Sequence, residues 1–584
     1  MKKSVAFVLA AILTITTFLG PQATIEVQAQ DNIMQMVSGM TLEQKVAQML
    51  MPACRNITSL NTDLVALLKK YNFGGVILFA NNVENPKQTT RLINSMQKAN
   101  LQGGAKSALF ISMDQEGGQV NRLTTGTQMP GNMALGATGN PEYAYTVASV
   151  LAEEMAVQGI NLNLAPVLDV NNNPANPVIG TRSFSDDPNV VAAFGQRYVD
   201  GIHSKGVMTA LKHFPGHGDT ATDSHTGLPM INKSKQQLKQ TELVPFGAVA
   251  KSSDFVMTAH IQYPQIEKET YVSKSGKKIT LPATLSKTIL TDMLRKEIGF
   301  DGVIITDSMT MDAISKNFDK MDATRLSINA GANMILIPVD LTTVGGIKNM
   351  ESYIAGTVAM IQSGQISEDR VNDSVYRILK LKSKYGLMYK GKSPKAIQKS
   401  VNNAAKNVGS KAHKDIEWQV ALAAVTSVKN DNVFPIAAGK KTVILYPTAT
   451  QQAGIEQAIK KAGATNVTAV CTNEYTAFVE SAIAGADTVI CVAAMSTGEN
   501  KPKNYVNYVM NTAHGNGSKF IYLSSQLPYD TKEYSAADGV VACYNPTGVN
   551  VEAAIYSILG GNKMTGKMPV ILFYTSSNIL SDRQ

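Results

Sequence analysis

Residues 302–308 read GVIITDS, a short apolar run that ends in an acidic residue and a hydroxyl residue. Other apolar runs of similar length, rich in Val, Ile and Leu, lie at 73–79, 108–114, 160–170, 207–214, 254–262 and 332–338. Such runs are typical of strands that are buried on both faces. Longer amphipathic stretches such as 140–159 separate them. This alternation predicts an α/β fold in which residues 30–388 form a (β/α)8-type (TIM) barrel, with seven identified strands and an assumed eighth.

The residues at the ends of these strands can take part in chemistry. They carry a carboxylate, an imidazole or an ammonium group, and are Asp114, Asp169, Lys212, His213, His260 and Asp307. A single polar residue after a strand often serves as the N-cap of the next helix. Five strands that all end in this way are not explained by capping alone. Because barrel enzymes carry their active sites at the carboxyl ends of the strands, we expect these side chains to gather at one site.

A smaller second domain is predicted to follow the barrel. A helix at 367–388 closes the barrel, and residues 389–415 are basic, polar and poor in large apolar residues, which is typical of a linker. Within 416–584, strand-like runs reappear at 441–447, 487–494, 519–525 and 539–545. They predict an α/β sandwich with a parallel sheet. This part of the sequence has neither of the glycine-rich phosphate loops of nucleotide-binding domains.

The first 29 residues are typical of a signal peptide. Lys2 and Lys3 precede an apolar run at 5–19, and Val27 and Ala29 are small residues where a signal peptidase requires them. A retained membrane anchor is the alternative, but the run is short for a span of about 20 residues. We therefore expect a secreted or cell-wall-associated protein of Gram-positive type, without stable membrane insertion after cleavage.

The composition is that of a globular protein, with 44% apolar and 17% charged residues. The formal net charge is +9, and loss of residues 1–29, with two Lys and one Glu, lowers it to +8. This surplus suits anionic surroundings such as wall polymers. No Lys/Arg-rich run is interleaved with aromatic residues, so nucleic acid is not expected as a partner. Four cysteines without C-x-x-C spacing indicate neither a disulfide framework nor a metal site.

The densest group of reactive side chains lies in residues 212–229, KHFPGHGDTATDSHTGLP. This stretch holds three of the seven histidines of the chain, together with Asp219 and Asp223. Glycines at 216, 218 and 227 indicate a mobile loop after a strand, which could act as a lid. A solvated polar loop without function is the simpler alternative.

A metal site is a second alternative for this loop. His213 and His217 are four residues apart, and acidic residues and a further histidine follow them. Pro215 and Gly216 stand between the two histidines and oppose the helix that would align them. We therefore expect no metal.

Asp223 and His225 form the most suggestive pair within the loop. A carboxylate that accepts a hydrogen bond from one ring nitrogen fixes the tautomer of the imidazole and supports its protonated form. The other nitrogen can then give or take a proton near neutral pH. The spacing therefore favours an acid/base pair.

Three other motifs add candidate site residues. They are DQEGGQVNR at 114–122, IGTRSF at 179–184 and GVIITDSMTM at 302–311. Arginine and lysine near carboxylates suit multidentate hydrogen bonding to hydroxyl groups. Asp307 directly follows a strand and precedes a helix, so it can serve as an N-cap as well as a reactive carboxylate.

Together these motifs resemble those of family 3 glycoside hydrolases, specifically the β-N-acetylglucosaminidase branch. The resemblance covers about residues 33–388, and the KHFPGHGDTxxDSH loop is its most specific part. The C-terminal part resembles the second domain of some exported Gram-positive members. The resemblance implies that Asp307 is the nucleophile, and that His225 is the general acid/base with Asp223 as its partner. It further implies sugar-binding residues, which are Asp114, Arg122, Arg182, Lys212 and His213.

The activity implied is that of a retaining exo-β-N-acetylglucosaminidase. Its partners would be N-acetylglucosamine-containing cell-wall oligosaccharides or muropeptides, it would need no cofactor, and we expect a monomer. A β-glucosidase or β-xylosidase of the same family is one alternative, although those enzymes usually draw the acid/base from a later domain and lack the DSH loop. An N-acetylglucosamine phosphorylase is another. A wall-binding protein that has lost activity would be expected to lack Asp307 or His225, and both are present.

Overall fold

The structure, a computed structural model, describes residues 31–389, 391–495 and 500–572. The predicted signal peptide at 1–29 lies outside the described residues. Within them the chain forms two sheets surrounded by helices, one in an N-terminal barrel and one in a C-terminal α/β domain. The predicted fold class is confirmed.

The first domain contains twelve strands, numbered along the chain. They are β1 Leu50–Ala53, β2 Gly75–Ile77, β3 Phe110–Met113, β4 Gln115–Gly117, β5 Val120–Asn121, β6 Leu162–Asn163, β7 Met208–Phe214, β8 Phe255–Thr258, β9 Thr270–Val272, β10 Lys278–Thr280, β11 Val303–Ile305 and β12 Ile335–Asp340. Eight of them form a parallel sheet in the order β11-β8-β7-β6-β3-β2-β1-β12. A parallel pairing of Ile305 with Met334 joins the two edge strands and closes the barrel. β4–β5 and β9–β10 are separate hairpins.

The eighth barrel strand, which the sequence did not reveal, is β1. It pairs with β12 on one side and with β2 on the other. Its four residues, LMPA, begin only one residue after the preceding helix ends at Gln48. Pro52 within it has no N–H to donate. A strand this short, with no turn before it, leaves too weak a pattern to be recognised.

Helices cover the outside of the barrel. They are Leu42–Gln48, Thr62–Tyr71, Pro86–Gln102, Asn132–Ala137, Glu142–Gln158, Pro188–His203, Lys235–Gln240, Leu243–Val249, Thr288–Ile298, Asp312–Ser315, Lys320–Ala330, Val344–Gln362 and Glu368–Lys384. Their starts follow from local sequence: Thr41 forms a capping box with Gln44, and Asp187 caps a helix that begins with Pro188. The helix predicted at 367–388 spans Glu368–Lys384, and its buried residues recur at helical spacing. One continuous hydrophobic core joins the helices to the sheet.

The second domain is built around a six-stranded sheet. Its strands are β13 Thr426–Asn430, β14 Thr442–Tyr446, β15 Val467–Cys471, β16 Thr488–Ala493, β17 Lys519–Ser524 and β18 Gly539–Ala542, in the order β13-β18-β17-β16-β14-β15. All pairs are parallel except β13 with β18. The helices of this domain are Gln452–Lys461, Glu480–Ile483, Asn500–Gly515 and Val549–Ile558. Alternate residues of β16 enter two different hydrophobic clusters, so the sheet is covered on both faces.

The segment 389–415, predicted as a linker, is largely helical. It contains helix Pro394–Asn407 and the start of helix Lys411–Ala424. The first of these lies against the barrel helices Pro86–Gln102 and Glu142–Gln158. Only Val401 and Ala404 are buried in it. Because so few of its residues are buried, most positions of this helix are polar, and its composition is that of a linker.

A buried carboxylate joins this connecting segment to the barrel. Glu154 accepts hydrogen bonds from the His413 ring at 2.8 Å, from the Gly409 N–H at 2.8 Å and from the Thr127 N–H at 2.8 Å. Burial opposes its ionisation, but these donors lower the pKa of Glu154. The contact therefore fixes the start of the second domain on the barrel.

Among the described residues, no helix combines the length and apolar character needed to cross a membrane. All four cysteines are free, and three of them, Cys54, Cys491 and Cys543, are buried. Burial raises the pKa of each of these three thiols to about 12.

Candidate active site

The carboxyl ends of the barrel strands surround a cavity of about 590 Å³. All eight of the site residues predicted from the sequence line it: Asp114, Arg122, Arg182, Lys212, His213, Asp223, His225 and Asp307. Every lining residue belongs to the barrel domain. The structure therefore brings the predicted residues together around one space.

Asp307 lies two residues beyond the end of β11. Its Oδ1 accepts a hydrogen bond from the Ser308 N–H at 2.7 Å. Burial opposes ionisation, but attraction to His260, His213 and Lys212 and the Ser308 N–H together lower the pKa of the Asp307 carboxyl. Asp307 is therefore held as a carboxylate, the form that acts as a nucleophile.

His260 contacts the backbone of Ser308, the residue after Asp307. It is buried, with Nδ1 2.8 Å from the Thr284 hydroxyl and Nε2 3.0 Å from the Ser308 carbonyl oxygen. Burial lowers the pKa of His260. This strand-end histidine thus helps to fix the backbone beside Asp307.

Four charged groups form a network on one wall of the cavity. Glu116 accepts two hydrogen bonds from Arg182, at 2.9 and 2.8 Å, and lies 2.7 Å from Lys212 Nζ. Lys212 also donates to Asp114 at 2.7 Å. The side chains of Glu116 and Lys212 are each only 2% exposed. Two positive and two negative charges balance one another, which makes this burial tolerable.

The network shifts the pKa values of Glu116 and Lys212 in the direction of full ionisation. Burial opposes the charge on Glu116, but Arg182 and Lys212 hold its pKa well below the usual range. The pKa of Lys212 is raised, since Asp114 and Glu116 outweigh the effect of burial. A bidentate arginine–glutamate pair is also geometrically rigid. The wall therefore offers fixed, charged hydrogen-bonding groups.

His213 and His217 both depend on Asp169. The Asp169 carboxylate accepts from His213 Nδ1 at 2.7 Å, from the His213 N–H at 3.1 Å and from the His217 N–H at 2.6 Å. Burial opposes its ionisation, but the two histidines lower the pKa of Asp169. The carboxylate thus fixes the ring of His213 with Nε2 left for a ligand.

The ring of His217 is occupied by hydroxyl groups. Its Nε2 lies 2.9 Å from Ser224 Oγ and its Nδ1 lies 3.2 Å from Thr220 Oγ1. Burial and the neighbouring His213 lower the pKa of His217 to about 4. Among the described residues, no group of three or more His, Cys, Asp or Glu side chains is arranged to hold a metal ion. The four-residue spacing of His213 and His217 suggested metal ligands, but both ring nitrogens of His217 contact hydroxyl groups.

Asp223 and His225 form the pair that their spacing indicated. Asp223 Oδ1 accepts from His225 Nδ1 at 2.8 Å and from the His225 N–H at 2.7 Å. The His225 side chain is 61% exposed and that of Asp223 is 32% exposed. With Nδ1 engaged, Nε2 is the nitrogen left for proton transfer.

Ser224, between these two residues, ties the loop to the barrel. Besides the contact of its hydroxyl with His217, its carbonyl oxygen accepts from the Ala313 N–H at 3.3 Å. Ala313 belongs to the short helix Asp312–Ser315, which follows Asp307. The Asp223–His225 pair is therefore linked to the helix that follows Asp307.

The glycines of the loop are explained by close packing at two of three positions. A Cβ on Gly218 would overlap the Val170 carbonyl oxygen. Gly216 has φ of 148°, and a Cβ there would lie 2.7 Å from the side chain of Glu242. At Gly227 the nearest atom to an added Cβ would be Thr222 Cγ2 at 3.3 Å. Gly216 and Gly218 therefore serve contact with the barrel, which the prediction of a mobile loop did not anticipate.

Arg122 lines the cavity and has one unpaired buried donor. Its Nε is buried and has no hydrogen-bond partner among the described residues. Its backbone N–H donates to Gln115 Oε1 at 2.9 Å, within the β4–β5 hairpin. A buried donor without a partner carries a cost that a ligand oxygen would remove.

The family model for the glycosyl hydrolase family 3 N-terminal domain matches residues 41–381. The chain belongs to glycoside hydrolase family 3. The predicted family and the prediction of a glycoside hydrolase are both confirmed. This family 3 enzyme carries its second domain after the matched region.

Three similar proteins extend this assignment. The enzyme is 34% identical over 556 residues to β-hexosaminidase A of Pseudoalteromonas piscicida, which covers 88% of this chain and 92% of that one. It is 31% identical over 338 residues to a β-N-acetylglucosaminidase/β-glucosidase of Cellulomonas fimi, covering 58% of this chain and 57% of that one. A solved family 3 β-N-acetylglucosaminidase from Paenibacillus sp. strain FPU-7 superposes with a TM-score of 0.81 at 29% identity, covering 92% of this chain and 100% of that one.

Two residues of this family 3 site were missed by sequence reasoning. Glu116 stands two residues after Asp114, and residues two apart in an extended segment share a face, so a signal was available. Asp169 was recognised only as a strand end, because its partner His213 is 44 residues away in the chain. Only the barrel fold brings these two together.

Proposed function

We propose that this family 3 enzyme, of the β-N-acetylhexosaminidase type, is a retaining exo-β-N-acetylglucosaminidase. It releases terminal β-linked N-acetylglucosamine from peptidoglycan fragments. The observation that carries this proposal is the shared cavity of Asp307 and the Asp223–His225 pair. The names of the relatives in Pseudoalteromonas piscicida and Paenibacillus support the choice of sugar.

The first chemical step uses Asp307 and His225 together. The Asp307 carboxylate attacks the anomeric carbon and forms a covalent glycosyl-enzyme, while the bond to the leaving oxygen breaks. His225 Nε2 gives its proton to that oxygen, and Asp223 stabilises the imidazole throughout. His225 then takes a proton from water, which attacks the same carbon and frees Asp307. Two displacements at one carbon retain the β configuration.

The charged network binds and orients the sugar. Asp114, Lys212 and His213 are held by ion pairs or hydrogen bonds to their neighbours, so they are preorganised for hydroxyl groups. Arg122 lines the same cavity, and its buried Nε has no hydrogen-bond partner among the described residues. Rigid donors and acceptors bind the transition state without a further cost of reorganisation.

We propose wall fragments as the substrate because of the charge of the site and of the whole chain. Using a histidine as the acid/base places an imidazole, and not a second carboxyl group, at the glycosidic oxygen. Substrates with a lactyl or peptide carboxylate then meet less repulsion. The formal charge of +8 that remains after loss of residues 1–29 suits an anionic wall. Export to the cell wall, predicted from residues 1–29, is part of the same proposal.

The test compares p-nitrophenyl β-N-acetylglucosaminide with the β-glucoside, and follows N-acetylglucosamine release from muropeptides. We expect a strong preference for the first aryl substrate, and a β anomer as the first product by NMR. Asp307→Asn should lower kcat by several orders of magnitude while Asp292→Asn, at a surface carboxylate, should not. A preference for the glucoside would contradict the choice of sugar, and an active Asp307→Asn would contradict the nucleophile.

The Cellulomonas fimi relative carries both activities in its name, so the β-glucosidase alternative is included in this assay. Phosphorolysis is distinguished in the same experiment by adding phosphate. If turnover depends on phosphate and yields a sugar phosphate, the enzyme is a phosphorylase instead.

A further inference from the structure

The second domain touches the barrel loop that carries Arg182. The Tyr529 hydroxyl accepts a hydrogen bond from Asn171 Nδ2 at 2.8 Å and donates to the Asn171 carbonyl oxygen at 3.4 Å. Both residues are buried. The Asn171 N–H in turn donates to the Ser185 carbonyl oxygen at 3.1 Å. One tyrosine of the second domain thus binds the first end of the loop 171–185, and the backbone of that end is paired with the other end.

Leu527 packs on the middle of the same loop. A Cβ on Gly180 would lie 3.0 Å from Leu527 Cδ2, so the leucine side chain sits directly against the glycine. Gly180 has φ of 44° and opens the helical turn Gly180–Arg182. This contact is therefore two residues from the arginine that binds Glu116.

A third contact holds the loop just beyond Arg182. The Ser185 hydroxyl donates to the Pro569 carbonyl oxygen at 2.6 Å, and the Ile571 N–H donates to Asp186 Oδ2 at 2.6 Å. The barrel also holds the loop, since Asn132 Nδ2 donates to the Arg182 carbonyl oxygen at 2.7 Å and Asn176 Nδ2 donates to the His217 carbonyl oxygen at 2.8 Å. The second domain thus contacts the loop on both sides of Arg182.

We propose that the second domain acts in catalysis without lining the cavity, and that Leu527 and Tyr529 are positioning residues for Arg182. They fix the loop 171–185, so that the guanidinium of Arg182 meets Glu116 in its bidentate geometry. Glu116 and Arg182 then hold Lys212 in place for the substrate. This role concerns the assembly of the site and does not depend on which sugar is hydrolysed.

The test uses the full chain and whichever aryl glycoside the wild-type enzyme turns over, so an error in the choice of sugar leaves it valid. Leu527→Ala should lower kcat/KM about fivefold to twentyfold, because small displacements of positioning groups have large effects on rate. Leu527→Met should restore it to within about twofold, since it refills the space. Tyr529→Phe should lower kcat/KM about threefold or more when assayed at a temperature well below its melting temperature.

Tyr544→Phe is the matched control. Tyr544 lies in the same buried cluster as Tyr529, and its hydroxyl donates to Thr426 Oγ1 at 2.7 Å within the second domain. The Tyr544→Phe variant loses a comparable hydrogen bond that does not involve the loop 171–185, so its kcat/KM should stay within about twofold of wild type. Equal losses of kcat/KM in Tyr529→Phe and Tyr544→Phe would overturn the proposal, even if Leu527→Ala failed to fold.

A combined variant tests the route through Arg182. In an Arg182→Lys background the bidentate pair is already lost, so adding Leu527→Ala should cause little further loss of kcat/KM. If the two losses multiply, Leu527 acts independently of Arg182 and the proposed route is wrong.

Discussion

Glu116→Gln is the most informative change in the site, because it removes one charge from a buried network without changing its shape. Glu116 is 2% exposed and receives two hydrogen bonds from Arg182 and one from Lys212. In the variant, Asp114 is the one carboxylate of the network that remains to balance the two cations, Arg182 and Lys212. Removing one partner of a buried ion pair typically costs about 3–5 kcal/mol. We expect the free energy of unfolding to fall by about that amount, and kcat/KM to fall at least about tenfold through loss of the Arg182 geometry.

Glu142→Gln is the control for this experiment. Glu142 also makes a bidentate pair with an arginine, Arg197, at 2.8 and 2.7 Å, but its side chain is 63% exposed. The bidentate arginine pair is common to both, whereas Glu116 is buried and also pairs with Lys212, so the change at the exposed Glu142 should have little effect on stability or activity. Denaturation in guanidinium chloride gives the midpoint for both variants, and initial rates on an aryl glycoside give kcat/KM. Equal midpoints for the two variants would refute the argument from burial.

Three further outcomes are expected. His225→Ala should slow hydrolysis of sugar leaving groups about 10²–10⁴-fold but affect p-nitrophenol far less, since only a poor leaving group needs protonation; equal losses would mean that His225 only positions the sugar. Because the pKa of His217 falls from 6.5 to about 4 on folding, the unfolded chain takes up this proton first as the pH drops. Stability should therefore decrease by up to about 3 kcal/mol between these pH values, measured by denaturation, and His217→Gln should lack this pH dependence. Dialysis against EDTA should leave activity unchanged; loss of activity that zinc restores would identify His213 and His217 as metal ligands.

Most of the barrel could be predicted because its strands are buried on both faces and read as apolar runs. The strand at 160–170 shows the limit of this signal. Only Leu162–Asn163 pairs regularly, with one further bridge from Val167 to Lys212. Pro166 cannot donate to a sheet, and the apolar residues around it are buried without forming a strand. Burial explains the apolar sequence of this run, but only the residues that hydrogen-bond to a neighbouring strand belong to the sheet.

The site residues could be predicted from local motifs, whereas their partners could not. Asp223 and His225 are two residues apart, so the sequence alone indicates that they can interact. Glu116 and Arg182 are 66 residues apart, and their pairing depends on how the barrel closes. The role of Leu527 is more remote still, since it lies in the other domain.

Asp307 and the Asp223–His225 pair lie on elements that differ in how firmly they are held. Asp307 follows the barrel strand β11, whose residues are buried, while His225 lies on an exposed loop that Ser224 holds by contacts of 2.9 and 3.3 Å. Local opening of such a loop costs much less free energy than unfolding of the barrel. On warming, hydrolysis of natural glycosides should therefore cease reversibly at a temperature below the melting transition seen by circular dichroism. Cooling from that interval should restore full activity, and we therefore expect thermal inactivation of this enzyme to precede its thermal denaturation.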